Sequence, residues 1–362
     1  MRDFIIYLGV SVIMGVIFTF TLPLQLSIAR IGNLHMNGRL RRHILTSLFA
    51  IFLIAPPPQA MAVDFDRWLM DFSVEATAKG ISGATIKNAL AGIQPIPRVI
   101  ELDRRQPEFT LTFSEYMKRV VTTTRIMKAR ARYDKHKELL DRVSKQYGVQ
   151  PRFIIALWGI ETDFGRLTGG FDVIPALATL AHDGRRSAFF RAQLLNALTV
   201  VDQGHIAADK MKGSWAGAMG QVQFMPSSFL NFAVDFDGDG RKNLWTSQED
   251  VFGSAANYLA KSGWNGSESW GRKVKLPTQF DEELINYKKI TKPLREWDEL
   301  GVLRDDGTQL PGSDIKASLV QPKEGQGPSF MIYGNYRAIL KWNRSHYFAL
   351  AVGHLADAII HR

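Results

Sequence analysis

The chain has 362 residues, enough for one large domain or two modest ones, and its 46% hydrophobic and 22% charged residues are ordinary for a globular enzyme. It contains no cysteine, which excludes disulfide bonds, thiol catalysis, thiolate metal sites and a cysteine-linked lipid anchor. The formal net charge of +10 favours an anionic partner. Nucleic acid is one candidate, but the sequence contains no nucleic-acid-binding motif. A polymer with acidic peptide groups fits the charge as well.

Two apolar stretches mark the N-terminus. Residues 4–29 carry no charge and are long enough to span a bilayer. Residues 44–55 form a shorter run that follows three arginines and leads to a small-x-small sequence at residues 60–62, which is typical of a secretory signal peptide. Met36 stands just before that run. We therefore interpret residues 1–62 as an N-terminal extension and a signal peptide, with translation starting at Met36.

This interpretation predicts export, with a mature protein that begins near residue 63. We expect a periplasmic protein whose residues 63–362 form the functional domain. The alternative is that residues 4–29 are a real anchor in the inner membrane, and only then is a membrane contact expected.

The periodicity of apolar residues predicts a mainly helical chain with a minor β component, an α+β fold. Predicted helices cover residues 64–79, 82–90, 113–147, 151 to about 161, 172–180, 185–201, 226–234, 248–261 and 343–360. Three prolines predict that residues 93–113 are extended or irregular. The stretch 264–329 is richer in proline, glycine and charge, so we expect a small mixed, β-containing insertion there. Residues 330–339 are predicted to form a strand followed by a turn.

One acidic residue, Glu161, ends an otherwise apolar run, residues 153–160, in the last turn of the helix that begins at Pro151. A carboxyl group costs several kcal/mol to desolvate, so it is rarely placed in such a setting without a function. Burial raises the pKa of a carboxyl group and lets it hold a proton near neutral pH, as the general acid that breaks a glycosidic bond must. For Glu161 taken alone, a solvated residue at a helix end is the alternative.

Residues 213–228 are dense in glycine, amide and hydroxyl groups, which suits a groove that grips a polar, neutral polymer. This segment offers no second acidic residue. The eight histidines form no cluster with metal-ligand spacing, so a catalytic metal is not expected. One carboxyl group can still suffice for glycosidic chemistry if it acts twice, first as acid and then as base.

Taken in order, these motifs resemble those of the membrane-bound lytic murein transglycosylase B family, which has a lysozyme-like fold. The resemblance covers about residue 64 to the end of the chain. Its motifs are Ile160-Glu161-Thr162, Phe164-Gly165-Arg166, Ala176-Leu177-Ala178-Thr179-Leu180, Gly217-Ala218-Met219-Gly220, Gln223-Phe224-Met225-Pro226-Ser227-Ser228, Asp235-Phe236-Asp237-Gly238-Asp239-Gly240, Asn243-Leu244-Trp245, Ala256-Asn257-Tyr258 and Trp342-Asn343-Arg344-Ser345. The resemblance implies cleavage of the MurNAc-β-1,4-GlcNAc bond of peptidoglycan with formation of 1,6-anhydroMurNAc.

In this reaction Glu161 would protonate the leaving oxygen and then take the proton of the muramoyl 6-hydroxyl, which attacks C1. The resemblance also implies the substrate-binding residues, which are Ser214, Gln223, Tyr258 and Asn343 through polar groups, Met219 and Phe224 on the apolar face of the sugar, Arg185 and Arg186 at carboxylates, and Tyr116. Simpler roles stay open for several of them, namely a turn for Ser214, core packing for Met219 and Phe224, a solvated basic pair for Arg185 and Arg186, and a helix cap for Asn343.

Residues 235–240 match the opening of an EF-hand-type calcium loop, but position twelve is Thr246 where that loop has a glutamate. By resemblance the last carboxylate comes slightly later, from Asp250 or from Glu249. The predicted ligands are Asp235, Asp237, Asp239, the backbone carbonyl of Arg241, and Asp250. We expect a structural calcium ion here and no cofactor for catalysis; a metal-free turn is the alternative.

The preferred hypothesis is an exported lytic transglycosylase that acts on peptidoglycan strands and works beside wall-synthesis proteins. A hydrolytic muramidase would use the same fold and acid but release reducing ends. A non-catalytic peptidoglycan-binding protein would keep the aromatic and arginine residues and would not need Glu161. No nucleic-acid partner is expected, because a secretion signal directs the chain to a different compartment.

Overall fold

The computed structural model describes residues 58–105, 111–322 and 327–361, with side chains from residue 64 onward. The core of the predicted signal peptide, the start at Met36 and the uncharged stretch 4–29 lie outside the described residues. Within those ranges, every helix is too short or too polar to cross a membrane.

Helices dominate the described chain, which confirms the predicted mainly α fold with a minor β component. The helices are α1 (Pro58–Ala78), α2 (Gly83–Leu90), α3 (Pro97–Arg105), α4 (Phe113–Val120), α5 (Thr123–Lys135), α6 (Lys137–Tyr147), α7 (Pro151–Thr162), α8 (Val173–Asp183), α9 (Ser187–Asp202), α10 (Pro226–Phe232), α11 (Gln248–Lys261), α12 (Leu294–Glu299), α13 (Gly334–Trp342) and α14 (His346–Ile360). The strands are β1 (Phe171–Asp172), β2 (Lys212–Gly213), β3 (Gly271–Lys275), β4 (Lys292–Pro293), β5 (Leu303–Arg304), β6 (Lys316–Val320) and β7 (Ser329–Ile332).

The centre of the helical part is α7, in which every residue from Phe153 to Thr162 is buried. It packs against α5, α6, α11 and α14, so no side of the helix is left to water. A helix that is apolar on all sides is stable only in such a position. Burial of the last turn of α7 therefore follows from the burial of the whole helix.

Between α11 and α13 the chain forms an antiparallel sheet with strand order β4-β6-β7-β3-β5. In its centre, Ser318 of β6 and Gly271 of β3 both lie opposite Ile332 of β7. This sheet has a small hydrophobic core of its own, which includes Trp297 and Met331. A separate two-stranded ladder joins β1 to β2.

Two element predictions were wrong. Residues predicted to be irregular form α3, because Pro97 stands at the first helical position, where its missing N–H costs nothing and its fixed φ favours the helix. The turn predicted after the last strand is the helix α13. Asn335 anchors the start of α13 by accepting a hydrogen bond from the Asn265 backbone and donating to the carbonyls of Asn265 and Glu268. These long-range contacts have no local signal in the sequence.

The stretch predicted as helical over residues 113–147 is helical but divides into three helices. Thr112 and Glu115 form a capping box that starts α4, and Thr122 caps α5 through its side chain. His136 separates α5 from α6. Gly148 ends α6 in a left-handed conformation, with φ of 67°.

Trp270 joins the sheet to the helical part. Its Nε1 donates to Oδ2 of Asp357 at 2.9 Å, and Oδ1 of Asp357 accepts from Arg152 at 2.8 Å. Gly353 of α14 lies against the indole ring, and a Cβ at this position would come within 2.4 Å of ring atoms. The junction therefore requires glycine at position 353.

We predict that Gly353→Ala lowers the free energy of unfolding by about 1–3 kcal/mol, because the added methyl group must displace Trp270 or α14. Gly83→Ala is the matched control: its Cβ would meet no atom within 4 Å, and a change below about 0.5 kcal/mol is expected. Urea unfolding of both variants measures the difference. An unchanged midpoint for Gly353→Ala would contradict the close packing at this junction.

Candidate active site

Glu161 lies in the last turn of α7 and is 3% exposed. Its helix begins at Pro151, at a position where proline is favoured, and the two residues after its last residue, Asp163 and Phe164, both have positive φ. The chain thus turns sharply just after Glu161. The sequence prediction of a buried glutamate at the end of an apolar helix matches this geometry.

The two carboxyl oxygens of Glu161 have different surroundings. Oε1 accepts a hydrogen bond of 2.8 Å from Nε1 of Trp342. Oε2 is buried and has no hydrogen-bond partner among the described residues. Burial raises the pKa of Glu161 from 4.5 to about 8, against the opposing effect of the Trp342 hydrogen bond. The carboxyl group is therefore mainly protonated at neutral pH.

Glu161 lines a cavity of about 320 Å³. One wall is aromatic: the ring centroids of Phe224, Tyr258 and Trp342 lie 4.8 to 5.6 Å from one another. Glu161 is the one acidic side chain among the described residues that line this cavity. An apolar wall next to a few polar groups suits a sugar ring, which has an apolar face and a rim of hydroxyl groups.

Four predicted binding residues line the cavity, namely Gln223, Phe224, Tyr258 and Asn343. The hydroxyl of Tyr258 donates to the Lys341 carbonyl at 2.6 Å, and burial raises the pKa of Tyr258 to about 12, so this side chain stays neutral. Oδ1 of Asn343 accepts from the backbone N–H of Ser345 at 3.0 Å. The side chain of Ser345, not that of Asn343, caps α14.

A tight backbone turn brings Gln223 and Phe224 to the cavity. The backbones of Met219 and Phe224 exchange hydrogen bonds of 2.8 and 3.0 Å, and Gln223 has φ of 50°. Nε2 of Gln223 donates to the Gly220 carbonyl at 3.0 Å. A Cβ at Gly220 would come within 2.5 Å of the Leu244 carbonyl oxygen, so only glycine fits there.

Two predicted binding residues of the same loop lie outside the cavity lining. Met219 has no exposed surface. Ser214 is 5% exposed, and its Oγ accepts from the backbone N–H of Ala218 at 3.0 Å. The contacts of both residues are those of core packing and of a turn.

Arg185 and Arg186 bind a carboxylate of the protein itself. Nε of Arg185 donates to Asp103 at 2.6 Å, and Nη2 of Arg186 donates to the other oxygen of the same side chain. Burial alone would raise the pKa of Asp103, but the two guanidinium groups outweigh it and hold the pKa below its ordinary value. Neither arginine lines the cavity.

Tyr116, also outside the lining, is buried on α4, with its ring 5.5 Å from that of Tyr347.

The predicted calcium loop brings three carboxylates together. Ligand oxygens of Asp235, Asp237 and Asp250 lie within 4.8 Å of one another. Asp250 is fully buried and accepts backbone hydrogen bonds from Phe236 and Asn243 at 2.7 and 2.6 Å, which fixes its direction. Three converging oxygen donors, one of them buried, fit a hard cation such as Ca²⁺.

The other two predicted ligands, Asp239 and Arg241, contact each other. Oδ1 of Asp239 accepts from the backbone N–H of Arg241 at 2.8 Å. Asp239 is not one of the three carboxylates that converge.

Among the lining residues to which the sequence interpretation gave no role are three neighbours of Asn343, namely Lys341, Trp342 and Arg344. All three lie within or next to the Trp-Asn-Arg-Ser motif that carried the resemblance. The available signal was their adjacency to Asn343, since side chains next to a predicted binding residue often share its site.

Comparison with known proteins gives consistent matches. The family described as transglycosylase SLT domain matches residues 64–357. The chain is 32% identical over 252 residues to the membrane-bound lytic murein transglycosylase B of Escherichia coli K12, an alignment that covers 67% of this chain and 66% of that relative, just under two thirds of its length.

Solved structures agree in fold and sequence. SltB3 of Pseudomonas aeruginosa, in complex with NAG-NAM-pentapeptide, is 44% identical with a TM-score of 0.80, over 82% of this chain and 80% of that chain. Escherichia coli lytic transglycosylase Slt35, in complex with calcium, is 28% identical with a TM-score of 0.69, over 80% of this chain and 92% of that chain. The chain therefore belongs to the transglycosylase SLT domain family, together with lytic murein transglycosylase B.

Proposed function

We propose that this protein is an exported lytic transglycosylase that cleaves the MurNAc-β-1,4-GlcNAc bond of peptidoglycan and forms 1,6-anhydroMurNAc. The observation that carries the proposal is Glu161, a buried acid that holds its proton near neutral pH and lines a sugar-sized cavity. The structure of SltB3 in complex with NAG-anhNAM-pentapeptide supports it, because that ligand contains the anhydro sugar.

The chemistry balances with one carboxyl group. Glu161 gives its proton to the glycosidic oxygen, the C1–O bond breaks, and the electron pair leaves with the GlcNAc hydroxyl. The N-acetyl group of the substrate shelters the cationic sugar. The carboxylate of Glu161 then takes the proton of the 6-hydroxyl as O6 bonds to C1, which restores the starting acid.

The lining of the cavity supports this route over hydrolysis by two carboxyl groups. Hydrolysing glycosidases ordinarily place a second carboxylate about 5–9.5 Å from the acid. Among the described residues of the lining, Glu161 has no such partner. A neutral aromatic wall and a single acid are what an intramolecular attack by the substrate requires.

The substrate-binding roles remain part of the proposal. Gln223 and Asn343 would bind sugar hydroxyls, and Phe224 and Tyr258 would pack on the ring. For the predicted residues outside the lining, we propose that Ser214 and Met219 hold the loop that presents Gln223. Arg185, Arg186 and Tyr116 would contact the substrate outside this cavity; of the two arginines, Arg185 is the more exposed, with 49% of its side chain accessible.

We predict that Glu161→Gln reduces lysis of purified sacculi by at least about a thousandfold, because the amide has nearly the same shape and no proton to give. Glu138→Gln, at an exposed position of α6, is the matched control and should keep the parent rate. Mass spectrometry of the sugars released by the parent should show anhydro ends. Lysis by Glu161→Gln at the parent rate would refute the role of Glu161, and reducing ends would indicate a hydrolytic muramidase.

The raised pKa of Glu161 predicts a pH-dependent cost in stability. The unfolded chain ionises Glu161 near pH 4.5, whereas the folded protein keeps it protonated up to about pH 8. The folded protein is therefore most stable, as far as Glu161 is concerned, below pH 4.5. Its free energy of unfolding decreases as the pH rises from 4.5 to about 8, because the unfolded chain releases the proton of Glu161 and the folded protein does not. Because glutamine does not ionise, Glu161→Gln should gain stability relative to the parent across this window, by roughly 3–5 kcal/mol at its upper end.

Urea unfolding of both proteins at pH 4, 6 and 8 measures this difference. Lysis by the parent should also fall as the pH passes about 8, because the acid form is lost. A stability difference that stays constant with pH would contradict a raised pKa for Glu161.

We also propose that the 235–250 loop binds calcium in a structural role, as the Slt35 complex with calcium supports. A bound ion would offset the repulsion among the three carboxylates and fix the loop to α11. We predict that about 10 mM calcium raises the unfolding temperature of the parent. At the calcium affinity typical of exported proteins, the free energy of unfolding should increase by about 1–3 kcal/mol. Asp237→Asn should remove this rise, and Asp66→Asn, at an exposed position of α1, should keep it. No rise in the parent would refute the site.

A further inference from the structure

We propose that Trp342 is a positioning residue for the acid: its indole N–H fixes the carboxyl proton of Glu161 on Oε2 and stabilises the carboxylate that remains when this proton is given away. This inference rests on the proposed function, in which Glu161 acts first as acid and then as base. According to this inference, the side chain of Trp342 determines which of the two carboxyl oxygens of Glu161 carries the reacting proton.

The choice follows from what each group can donate. An indole Nε1–H is a donor only, so Oε1, at 2.8 Å, must accept. In a protonated carboxyl group the carbonyl oxygen is the better acceptor, which leaves the proton on the other oxygen. Oε2 has no hydrogen-bond partner among the described residues. Its proton is therefore not committed to the protein and remains available to a substrate oxygen.

The same hydrogen bond becomes stronger during the reaction. When Oε2 loses its proton, the negative charge spreads over both oxygens, and a hydrogen bond to a charged acceptor is roughly twice as strong as one to a neutral acceptor. The bond lies in a buried site, where electrostatic effects are larger than in water. An interaction that strengthens as charge develops lowers the barrier, whereas one of constant strength would not.

The indole is held in place without help from Glu161. Its ring lies 5.2 Å from that of Phe224 and 4.8 Å from that of Tyr258. The residue before it, Lys341, accepts the Tyr258 hydroxyl through its backbone carbonyl at 2.6 Å. Two neighbouring rings and one backbone contact therefore fix the donor before a substrate arrives, which is the property required of a preorganised dipole.

Among the other charged or titratable groups near this acid, Lys341 and Asp163 have hydrogen-bond or ion-pair partners of their own. Tyr258, Lys341 and Arg344 line the same cavity, and Nζ of Lys341 donates to the Ser262 carbonyl at 2.9 Å. Asp163, two residues after the acid, is paired with two cationic side chains. The indole provides the side-chain hydrogen bond that acts on the pKa of Glu161. Removing the indole N–H therefore tests one interaction.

The test compares the parent with Trp342→Phe, which keeps an aromatic ring and lacks the N–H. Without the donor the carboxylate is less stable, so the pKa of Glu161 rises. We expect the alkaline midpoint of sacculus lysis to move up by about 1–2 pH units, and the maximal rate to fall by about tenfold or more. A side chain with only a packing role would lower the rate and leave the midpoint in place.

Trp264→Phe is the matched control, because it removes an indole hydrogen bond, 2.7 Å to Gln150, beside the start of the same helix. Its midpoint should equal that of the parent. A midpoint for Trp342→Phe that also equals the parent's would overturn the proposal. The proposed function would stand in that case, because it fails only if Glu161→Gln stays active or the products lack anhydro ends.

A second readout does not need activity. The pH dependence of the stability difference between a protein and its Glu161→Gln derivative reports the pKa of Glu161. In the Trp342→Phe background this stability difference should keep growing above pH 8. If it stops growing at the same pH as in the parent, the role of Trp342 is refuted. If phenylalanine leaves the protein unfolded, benzothienylalanine at position 342 keeps the bicyclic shape, replaces N–H by sulfur, and gives the same readout.

Discussion

The site depends on a carboxyl group that is kept uncharged at the end of a buried helix. Because α7 is apolar on all sides, Glu161 reaches the cavity from an environment that strongly disfavours its ionised form. The protein meets that cost by leaving the proton on the acid. The single polar contact at Oε1 comes from a neutral donor, so it moderates the effect of burial without forming an ion pair.

The parts of the site come from distant segments and meet only through tertiary packing. Glu161 and Trp342 are separated by 181 positions. The whole β-containing insertion lies between α11, which provides Tyr258, and the end of α13, which provides the indole. The insertion is fixed to the helical part by Trp270 and Asp357, and α14 packs on α7. The position of the donor therefore depends on the sheet, although the sheet provides no residue of the cavity lining.

The sequence was informative where its signal was local. A helix that starts at Pro151 and ends at a lone acid predicted the burial of Glu161, and the glycine-rich loop predicted a groove. Features that depend on long-range contacts, such as the start of α13 at Asn335, had no local signal. The helix α3 was missed for a local reason, because a proline can begin a helix as well as break one. The partner of Arg185 lies on that missed helix, so its ion pair with Asp103 was missed as well. Trp342 stood in a motif whose spacing gives no indication of a hydrogen bond to Glu161.

A reaction that uses one carboxyl group twice restricts its environment more than one that uses two. The acid must hold a proton at the start, and its conjugate base must be stable enough to form and basic enough to take a proton back. A cation in contact with Glu161 would lower its pKa and remove the acid, whereas burial without any donor would make the carboxylate too costly to form. A neutral N–H on one oxygen lies between these extremes. It leaves the second oxygen free for the substrate, and an indole, which donates and cannot accept or ionise, is the side chain that meets these conditions most simply.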